Sequence, residues 1–269
     1  MGNTFKNSYG EWAVVTGANS GIGRALAFEI AEKGLNIVLV ARRTPELEEV
    51  SNKIKEKYKV STMVISADLT EQNGINDVIG KTDGLNIGML VLSAGIENNG
   101  SFIKNDLETE LKVIQLNIVS TIKLTFHFAK KMESFKKGGI MLVASLTAHM
   151  PSPYFSNYAA TKSYVLNFGS SLYAELKPKG IDISVLSPGV TNTAMSENTG
   201  IDWTKSKVQI MSPEEVAKEA INHFGKKLSI IPGTGNRLIA FIAKKIISTQ
   251  KLATTNQRMM QKILNPSKL

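Results

Sequence analysis

The segment Trp12-Ala-Val-Val-Thr-Gly-Ala-Asn-Ser-Gly-Ile-Gly23 joins an apolar run to a group of three glycines. Residues 12–16 have the length and composition of a buried strand, and the run stops where the glycines begin. Residues 22–33 then carry apolar side chains at helical spacing and are followed by Gly34. The segment therefore predicts a strand, a tight turn and a helix in succession.

The rest of the chain repeats this alternation of strand and helix. Further apolar, strand-like runs lie at residues 36–41, 60–67, 87–94, 139–145, 181–187 and 228–232, and helical patterns separate nearly all of them. Because alternating strands and helices form parallel βαβ units, we expect a doubly wound parallel sheet of about seven strands with helices on both faces. The runs are mostly apolar throughout, as strands covered on both faces require. The predicted fold class is therefore α/β.

The glycines of the opening segment are typical of a phosphate-binding turn. Gly17 allows the tight turn out of the strand, Gly21 lets the backbone approach a pyrophosphate, and Gly23 lets the helix pack closely. The helix N-terminus offers free N–H groups and the positive end of its dipole to an anion. The alternative is a plain strand-to-helix turn, but such a turn rarely needs three glycines. The position at the first strand-to-helix junction favours a dinucleotide site.

The end of the second predicted strand favours NADP(H) over NAD(H). An NAD site usually has a carboxylate here for the ribose 2′-hydroxyl, whereas an arginine accommodates a 2′-phosphate. This chain has Arg42 and Arg43, and the guanidinium group matches the geometry of phosphate. The alternative is that both arginines are solvated at the start of a loop.

Tyr158 and Lys162 lie one helical turn apart in the segment Asn157-Tyr-Ala-Ala-Thr-Lys162. An isolated pair of this kind is usually a core tyrosine beside a solvated lysine. Next to a dinucleotide site, however, a nearby ammonium would favour the phenolate and lower the pKa of the tyrosine from its ordinary value near ~10. We therefore expect Lys162 to bring the pKa of Tyr158 closer to neutral.

Together these features resemble the short-chain dehydrogenase/reductase family, in its single-domain form, over nearly the whole chain. The three glycines match its T-G-x-x-x-G-x-G turn, and Tyr158 and Lys162 match its Y-x-x-x-K pair. Further matches are Asn117 in Leu116-Asn117-Ile118, Ser145 thirteen residues before Tyr158, Asp68-Leu69, and Pro188-Gly-Val-Thr-Asn-Thr193. The resemblance implies a Rossmann-type fold and a homodimer or homotetramer built on the fourth and fifth long helices.

The resemblance also implies the reduction of a carbonyl to an alcohol, or the reverse. Tyr158 would donate the proton, Ser145 would hydrogen-bond the same oxygen, and Asn117 and Lys162 would support a water chain that returns the proton. Lys162 would also bind the nicotinamide ribose, and Thr193 the carboxamide. The implied cofactor contacts are Gly17, Asn19, Ser20, Gly21, Ile22, Gly23, Arg42, Arg43, Asp68, Leu69, Ala94, Gly95, Tyr158, Lys162, Pro188, Gly189, Val190, Thr191 and Thr193.

One position departs from the family pattern. The family usually has Asn-Asn-Ala-Gly after the fourth strand, whereas this chain has Leu92-Ser-Ala-Gly95. The missing amide normally helps to tie neighbouring strands together. Ser93 can still donate and accept hydrogen bonds, so we expect a small structural cost and intact chemistry.

Composition excludes several other kinds of site. The chain has no cysteine, which excludes disulfides, thiolate nucleophiles and Cys-ligated zinc, and its three histidines are far apart, so we predict no metal site. No apolar run reaches the ~18 residues that span a bilayer. No motif supports nucleic-acid binding. We expect a cytoplasmic protein.

The net charge of +9 is concentrated at the C-terminal end. Residues 225–269 contain nine basic residues and no acidic residue, so residues 1–224 are neutral overall. Residues 236–248 predict a helix with Leu238, Ile239, Ile242 and Ile246 on one face. One interpretation is a helix packed on the domain or on a sister subunit. The other is a basic helix at a membrane surface, where it contacts anionic lipid, or on an acidic partner such as an acyl carrier.

Residues 1–233 are accordingly assigned to the dinucleotide-binding and catalytic domain, and residues 234–269 to a basic, amphipathic, helical extension of it. By resemblance, residues 194–211 cover the substrate and residues 150–155 form the opposite wall. Met195, Trp203 and Met211 either line an apolar pocket or pack as lid residues on the core. Their character favours an apolar substrate such as a ketone, a 3-ketoacyl or a steroid-like compound.

A second functional hypothesis is a regulatory protein that binds a dinucleotide without turnover. Ser145, Tyr158 and Lys162 together argue against it, because a sensor does not need that set of side chains.

Overall fold

The computed structural model describes residues 4–197, 199–206 and 208–268. Seven parallel strands form one sheet in the order β3-β2-β1-β4-β5-β6-β7. The strands are β1 Trp12–Thr16, β2 Asn36–Ala41, β3 Thr62–Ser66, β4 Ile87–Leu92, β5 Gly138–Val143, β6 Ile181–Leu186 and β7 Ser229–Ile230. The α/β fold class and the doubly wound parallel sheet are confirmed.

Helices cover both faces of the sheet. They are α1 Thr4–Tyr9, α2 Gly21–Glu32, α3 Thr44–Tyr58, α4 Gln72–Lys81, α5 Leu107–Ile114, α6 Thr121–Phe135, α7 Ser156–Leu176, α8 Ala194–Glu197, α9 Pro213–His223, α10 Thr234–Lys245 and α11 Thr249–Ile263. A π-helical segment, Gln115–Ser120, joins α5 to α6.

Two apolar cores lie on opposite faces of the sheet. Leu26 of α2, Leu47 of α3 and Val216 of α9 belong to one core, and Ile75 of α4 and Phe128 of α6 belong to the other. All six residues of β4 are buried, which explains why the predicted strands show no polar alternation.

The strand order reverses between β1 and β4. Chain order runs outward from β1 through β2 and β3, and then returns to pair β4 with β1 before continuing through β5 to β7. In open α/β sheets, this switch point leaves a crevice at the carboxyl ends of the strands where ligands bind. The fold therefore places the crevice at the end of the glycine-containing segment.

Several strands end earlier than the sequence pattern predicts. The predicted runs 87–94 and 139–145 end at Leu92 and Val143, and the run 228–232 reduces to Ser229–Ile230. The residues just beyond Leu92 and Val143 turn away from the sheet and form the walls of the crevice. An apolar pattern does not distinguish a strand from the loop that follows it.

The N-terminal helix α1 was not predicted. Tyr9 packs on Phe224 with ring centroids 4.8 Å apart, and its hydroxyl donates to Asp182 at 2.9 Å. These contacts hold α1 next to β4 and β5, with its tyrosine hydroxyl reaching β6.

Candidate active site

A cavity of about 290 Å³ lies at the switch point. It runs from the turn after β1, past the ends of β2 and β3, to the start of α7 and the segment after β6. Its walls include sixteen of the predicted cofactor contacts: Gly17, Asn19, Ser20, Gly21, Ile22, Gly23, Arg42, Arg43, Asp68, Leu69, Ala94, Gly95, Tyr158, Lys162, Pro188 and Thr193. The fold brings these residues together from six separate segments.

Two glycines of the turn could not carry a side chain. Gly17 has φ +68°, and a Cβ atom there would lie 3.0 Å from the backbone nitrogen of Ala94. A Cβ atom on Gly23 would lie 2.3 Å from the carbonyl oxygen of Gly17, far inside van der Waals contact. The missing side chains let α2 begin against the turn, with its first N–H groups at the cavity. This geometry fits a pyrophosphate.

The two arginines lie beside the same cavity. Arg42 Nη1 lies 3.9 Å from Asp68 Oδ2, and Arg43 Nε lies 3.2 Å from Glu46 Oε1. With its amide oxygen turned toward the guanidinium, Asn19 accepts from Arg43 Nη2 at 2.6 Å. Arg43 is thus positioned by two neighbours, while the more exposed Arg42 is held only loosely.

Tyr158 and Lys162 meet on one face of α7. Lys162 Nζ lies 5.7 Å from the centre of the Tyr158 ring and donates to the carbonyl oxygen of Val143, at the end of β5, at 2.9 Å. Ser145 follows the same strand and hydrogen-bonds the Tyr158 hydroxyl. The Ser145 hydroxyl also accepts from the backbone N–H of Thr147 at 3.2 Å, which fixes its orientation.

The pKa of Tyr158 shifts in the direction opposite to the sequence-based expectation. Burial raises it above its ordinary value, the negative charge of Glu97 raises it further, and the hydrogen bond with Ser145 opposes both effects. Burial also lowers the pKa of Lys162 to about 8, although Glu97 acts to raise it. The expectation that the pKa of Tyr158 lies closer to neutral is therefore wrong here, because burial and the charge of Glu97 raise it.

Asn117 lies on the π-helical segment, with its side chain pointing at the loop after β4. Its Oδ1 accepts from the N–H of Ile96 at 3.0 Å, and its Nδ2 donates to Ile96 O at 2.9 Å and to Thr161 Oγ1 at 3.0 Å. A π-turn inside a helix often marks a functional site. Asn117 thus fastens the Gly95–Ile96 wall of the cavity to α7.

Thr16 ties β1 to the segment after β4, where the family's usual amide is absent. Its hydroxyl accepts from the N–H groups of Ser93 and Ala94 at 3.1 and 3.0 Å. The tie between the strands is therefore present without an asparagine at position 93. The small structural cost expected for Ser93 stays a prediction.

Three predicted cofactor contacts are not among the residues that line the cavity. Gly189 faces α10 instead, since a Cβ atom there would lie 2.5 Å from Asn236 Nδ2. Thr191 is buried and pairs as an isolated bridge with Met211, and Val190 accepts a backbone hydrogen bond from Met211. The P-G-x-x-x-T segment reaches the cavity only at its two ends, Pro188 and Thr193.

Sequence reasoning missed Glu97. Its Oε1 atom is buried and has no hydrogen-bond partner among the described residues. Burial raises the pKa of this carboxyl to about 7, against the pull of the charges of Lys162 and Lys268. No motif marks a lone glutamate in a loop, so only the fold reveals that it acts on Tyr158.

Sequence reasoning also missed the part that the C-terminal residues play beside the site. Leu264 forms an isolated antiparallel bridge with Ile201, and Lys268 Nζ donates to Asn99 Oδ1 at 2.7 Å and to Thr199 O at 3.0 Å. Asn256 Nδ2 donates to Pro151 O at 2.8 Å. The end of the chain therefore joins three loops next to Tyr158.

These contacts enclose an apolar cluster beside the tyrosine. The buried members are Phe155, Ile201, Met260, Ile263 and Leu264, with Tyr154, Tyr158 and Trp203 packed against them. Of the three side chains left open by the sequence, Trp203 joins this cluster, Met195 lines the cavity, and Met211 packs in the core. Asn198 and Lys207, within the predicted covering segment, lie outside the described residues.

The arrangement brings a glycine turn, a Ser–Tyr–Lys group and an apolar wall to one cavity. The model of the short chain dehydrogenase family matches residues 11–202. This chain belongs to that family. The short-chain dehydrogenase is thus an oxidoreductase that acts on CH–OH or C=O groups.

Individual relatives are similar over most of its length. Human 17-beta-hydroxysteroid dehydrogenase type 3 is 36% identical over 222 residues, which cover 82% of this chain and 70% of the human protein. A solved structure of a 7beta-hydroxysteroid dehydrogenase has 28% identity and a TM-score of 0.87, covering 94% of this chain and 98% of that one. A short-chain dehydrogenase from Sphingobium yanoikuyae in complex with NADPH has 28% identity and a TM-score of 0.79, covering 95% and 97%.

Membrane-spanning helices and metal-binding clusters are both absent from the part of the short-chain dehydrogenase that the structure describes. None of its helices combines the length and apolarity needed to cross a bilayer. No group of three or more His, Asp or Glu side chains there is arranged to bind a metal ion.

Proposed function

We propose that this short-chain dehydrogenase uses NADPH to reduce the carbonyl of a bulky, apolar ketone. The observation that carries the proposal is the Ser145, Tyr158 and Lys162 group, which lies between the cavity at the glycine turn and an apolar cluster. The bound cofactor would supply a hydride to the carbonyl carbon.

Tyr158 is proposed to supply the proton. Its raised pKa keeps the hydroxyl protonated at neutral pH, as a proton donor requires. Ser145 accepts a backbone hydrogen bond, and its hydroxyl hydrogen is proposed to turn from Tyr158 to the carbonyl oxygen when the ketone binds. Proton donation leaves a phenolate, which the Lys162 ammonium would stabilise. Asn117 is proposed to hold the Ile96 wall in place, and with Lys162 to support the water chain that reprotonates Tyr158.

Replacement of Tyr158 tests this mechanism. Tyr158→Phe should lower turnover by about 10²- to 10⁴-fold, because the proton donor is lost, while the dissociation constant for NADPH stays near that of the wild type. Tyr164→Phe is the matched control, since Tyr164 stacks on Phe168 farther along α7. Undiminished turnover by Tyr158→Phe would refute the assignment.

The preference for NADPH is proposed from Arg42 and Arg43. Both line the cavity beside Asp68, where a 2′-phosphate would receive charge-assisted hydrogen bonds. The double variant Arg42→Ala/Arg43→Ala should weaken NADPH binding about tenfold or more and leave NADH binding little changed. Arg24→Ala is the control, because Arg24 stacks on Phe28. Equal losses for both dinucleotides would contradict the preference.

The apolar substrate class is proposed from the cluster around Phe155 and Ile201. The similarity to proteins named for hydroxysteroids supports it. NADPH oxidation measured with steroid ketones, 3-ketoacyl thioesters, small diketones and retinal-like aldehydes should be fastest with the large apolar ketones. A preference for small diketones would instead indicate a closed, polar pocket.

A homo-oligomer is proposed from the outer surface of α5 and α6. Large apolar side chains there are exposed, namely Leu107, Leu111, Ile114, Ile122, Phe126 and Phe135. A second copy would bury them, as subunit interfaces do. Light scattering of the wild type should give a dimer or tetramer, and Leu111→Ser/Phe126→Ser should shift the mass toward the monomer.

A further inference from the structure

The helix α10 lies on the domain with its apolar side facing outward. Asn236 and Ala240 face inward and are buried, and Asn236 Nδ2 donates to Pro232 O at 2.8 Å. In the opposite direction, Leu238, Phe241 and Ile246 are 59%, 58% and 66% exposed. At 100° per residue, Leu238, Ile239, Phe241, Ile242 and Ile246 form one continuous surface, which we name the outer face of α10.

This orientation reverses the usual arrangement of a surface helix. The preceding helix α9 buries Val216, Ala217, Ala220 and Ile221 and begins with Glu214 and Glu215, as an amphipathic helix on a domain should. The sequence left open whether this helix packs on the domain or on a sister subunit, or contacts anionic lipid or an acidic partner. The structure shows that α10 packs on the domain through its small and polar side, Asn236 and Ala240, which leaves its apolar side uncovered. An exposed, continuous apolar surface of this kind marks a binding site for another protein or for a membrane.

The charge around the outer face restricts its partner. Lys245 falls within the outer face by helical position, Lys244 flanks it, and both are exposed. The exposed Lys251, Arg258 and Lys262 of α11 follow, and residues 225–269 contain no acidic residue to oppose them. A two-fold contact between two copies would place this basic surface against itself, which is unfavourable.

We propose that the outer face of α10 binds the surface of a membrane that contains anionic lipid. The apolar side chains would enter the boundary between headgroups and acyl chains, and the lysines would reach lipid phosphates and carboxylates. The helix also lies next to the turn Leu146–His149 that follows Ser145, where the charge of Lys244 helps to lower the pKa of His149. The helix proposed to bind the membrane is therefore next to the turn that follows Ser145.

Vesicle co-sedimentation of the full chain tests the proposal. The wild type should sediment with phosphatidylcholine vesicles that contain phosphatidylserine, and a far smaller fraction should sediment with phosphatidylcholine alone. High salt should reduce the fraction bound to the phosphatidylserine vesicles. The double variant Leu238→Ser/Phe241→Ser should reduce the bound fraction about tenfold or more, because two apolar anchors are lost. Lys244→Gln/Lys245→Gln should reduce mainly the dependence on phosphatidylserine.

Matched controls separate this surface from the others. Leu111→Ser/Phe126→Ser removes a leucine and a phenylalanine of similar exposure from the α5 and α6 surface and should still bind anionic vesicles, even as a monomer. NADPH turnover should be unchanged in the α10 variants, which shows that they fold and separates this test from that of the proposed function. Binding that is insensitive to the α10 variants, or an absence of vesicle binding, would overturn the proposal. So would a fall in oligomer mass caused by Leu238→Ser/Phe241→Ser, which would assign the face to a second copy.

Discussion

The cofactor side and the substrate side of the molecule are built from different kinds of contact. On the cofactor side, the contacts are made to the backbone: Gly23 lies against the Gly17 carbonyl, and the Thr16 hydroxyl accepts from the backbone N–H groups of Ser93 and Ala94. On the substrate side, side chains join segments that are distant in sequence, such as Asn99 and Lys268, which are 169 residues apart. One side depends on a short motif, and the other depends on where the end of the chain packs.

Removing a buried anchor of the C-terminal segment should have the largest effect. Leu264 is buried in the cluster beside Tyr158 and bridges to Ile201, so Leu264→Ala should lower the free energy of unfolding by about 2–4 kcal/mol. The KM for apolar ketones should rise, while the dissociation constant for NADPH stays unchanged. Chemical denaturation and steady-state kinetics measure both.

The control for this substitution is Leu238→Ala, at an exposed position, which should change stability by less than about 0.5 kcal/mol. A weakening of NADPH binding by Leu264→Ala would show that the two sides are coupled.

A methyl group in the glycine turn should impair the cofactor side and leave the substrate side nearly unchanged. In Gly23→Ala, the new Cβ would meet the Gly17 carbonyl oxygen at 2.3 Å, so the backbone must shift, at a cost of about 1–3 kcal/mol. NADPH binding should weaken while the KM for the ketone changes little. Gly80→Ala is the control, because a Cβ there meets nothing within 4 Å and alanine favours the helix. Tight NADPH binding by Gly23→Ala would show that the cofactor side does not depend on the glycine turn.

Glu97 lies where the two sides meet, and the effect of replacing it should depend on pH. Its pKa is raised from its ordinary value of 4.5 to about 7, so the folded state binds more protons than the unfolded state in this interval. The resulting contribution to stability is complete below pH 4.5 and is lost as the pH rises to about 7.

Glu97→Gln should therefore be more stable than the wild type at pH 8, by up to about 3 kcal/mol, and equal to it near pH 4. Removing the charge should also lower the pKa of Tyr158, which shifts the pH profile of alcohol oxidation to lower pH. Denaturation curves at several pH values and a pH–rate profile measure the two effects. If the wild type and Glu97→Gln have the same pH–rate profile, Glu97 does not influence the pKa of Tyr158.

Much of the cofactor side could be predicted from sequence because its signals are local. The strand at residues 12–16, the glycines that follow, and the spacing of Tyr158 and Lys162 each lie within a few residues of one another. The cofactor contacts predicted for Gly189, Val190 and Thr191 stay predictions, since these residues are not among those that line the cavity. The middle of that segment turns toward α10 and Met211, and a pattern of residue types does not record such a turn.

The sequence by itself determined the alternation of strand and helix, the glycine turn, the Ser145, Tyr158 and Lys162 set, and the basic C-terminal end. Only the tertiary structure decided the direction of the pKa shift of Tyr158, the position of Glu97 beside it, and the side of α10 that faces outward. The physical reason is that burial and charge proximity are sums over neighbours from distant segments. Those neighbours are defined only once the chain has folded, whereas a turn or a helical face is defined by residues adjacent in the chain.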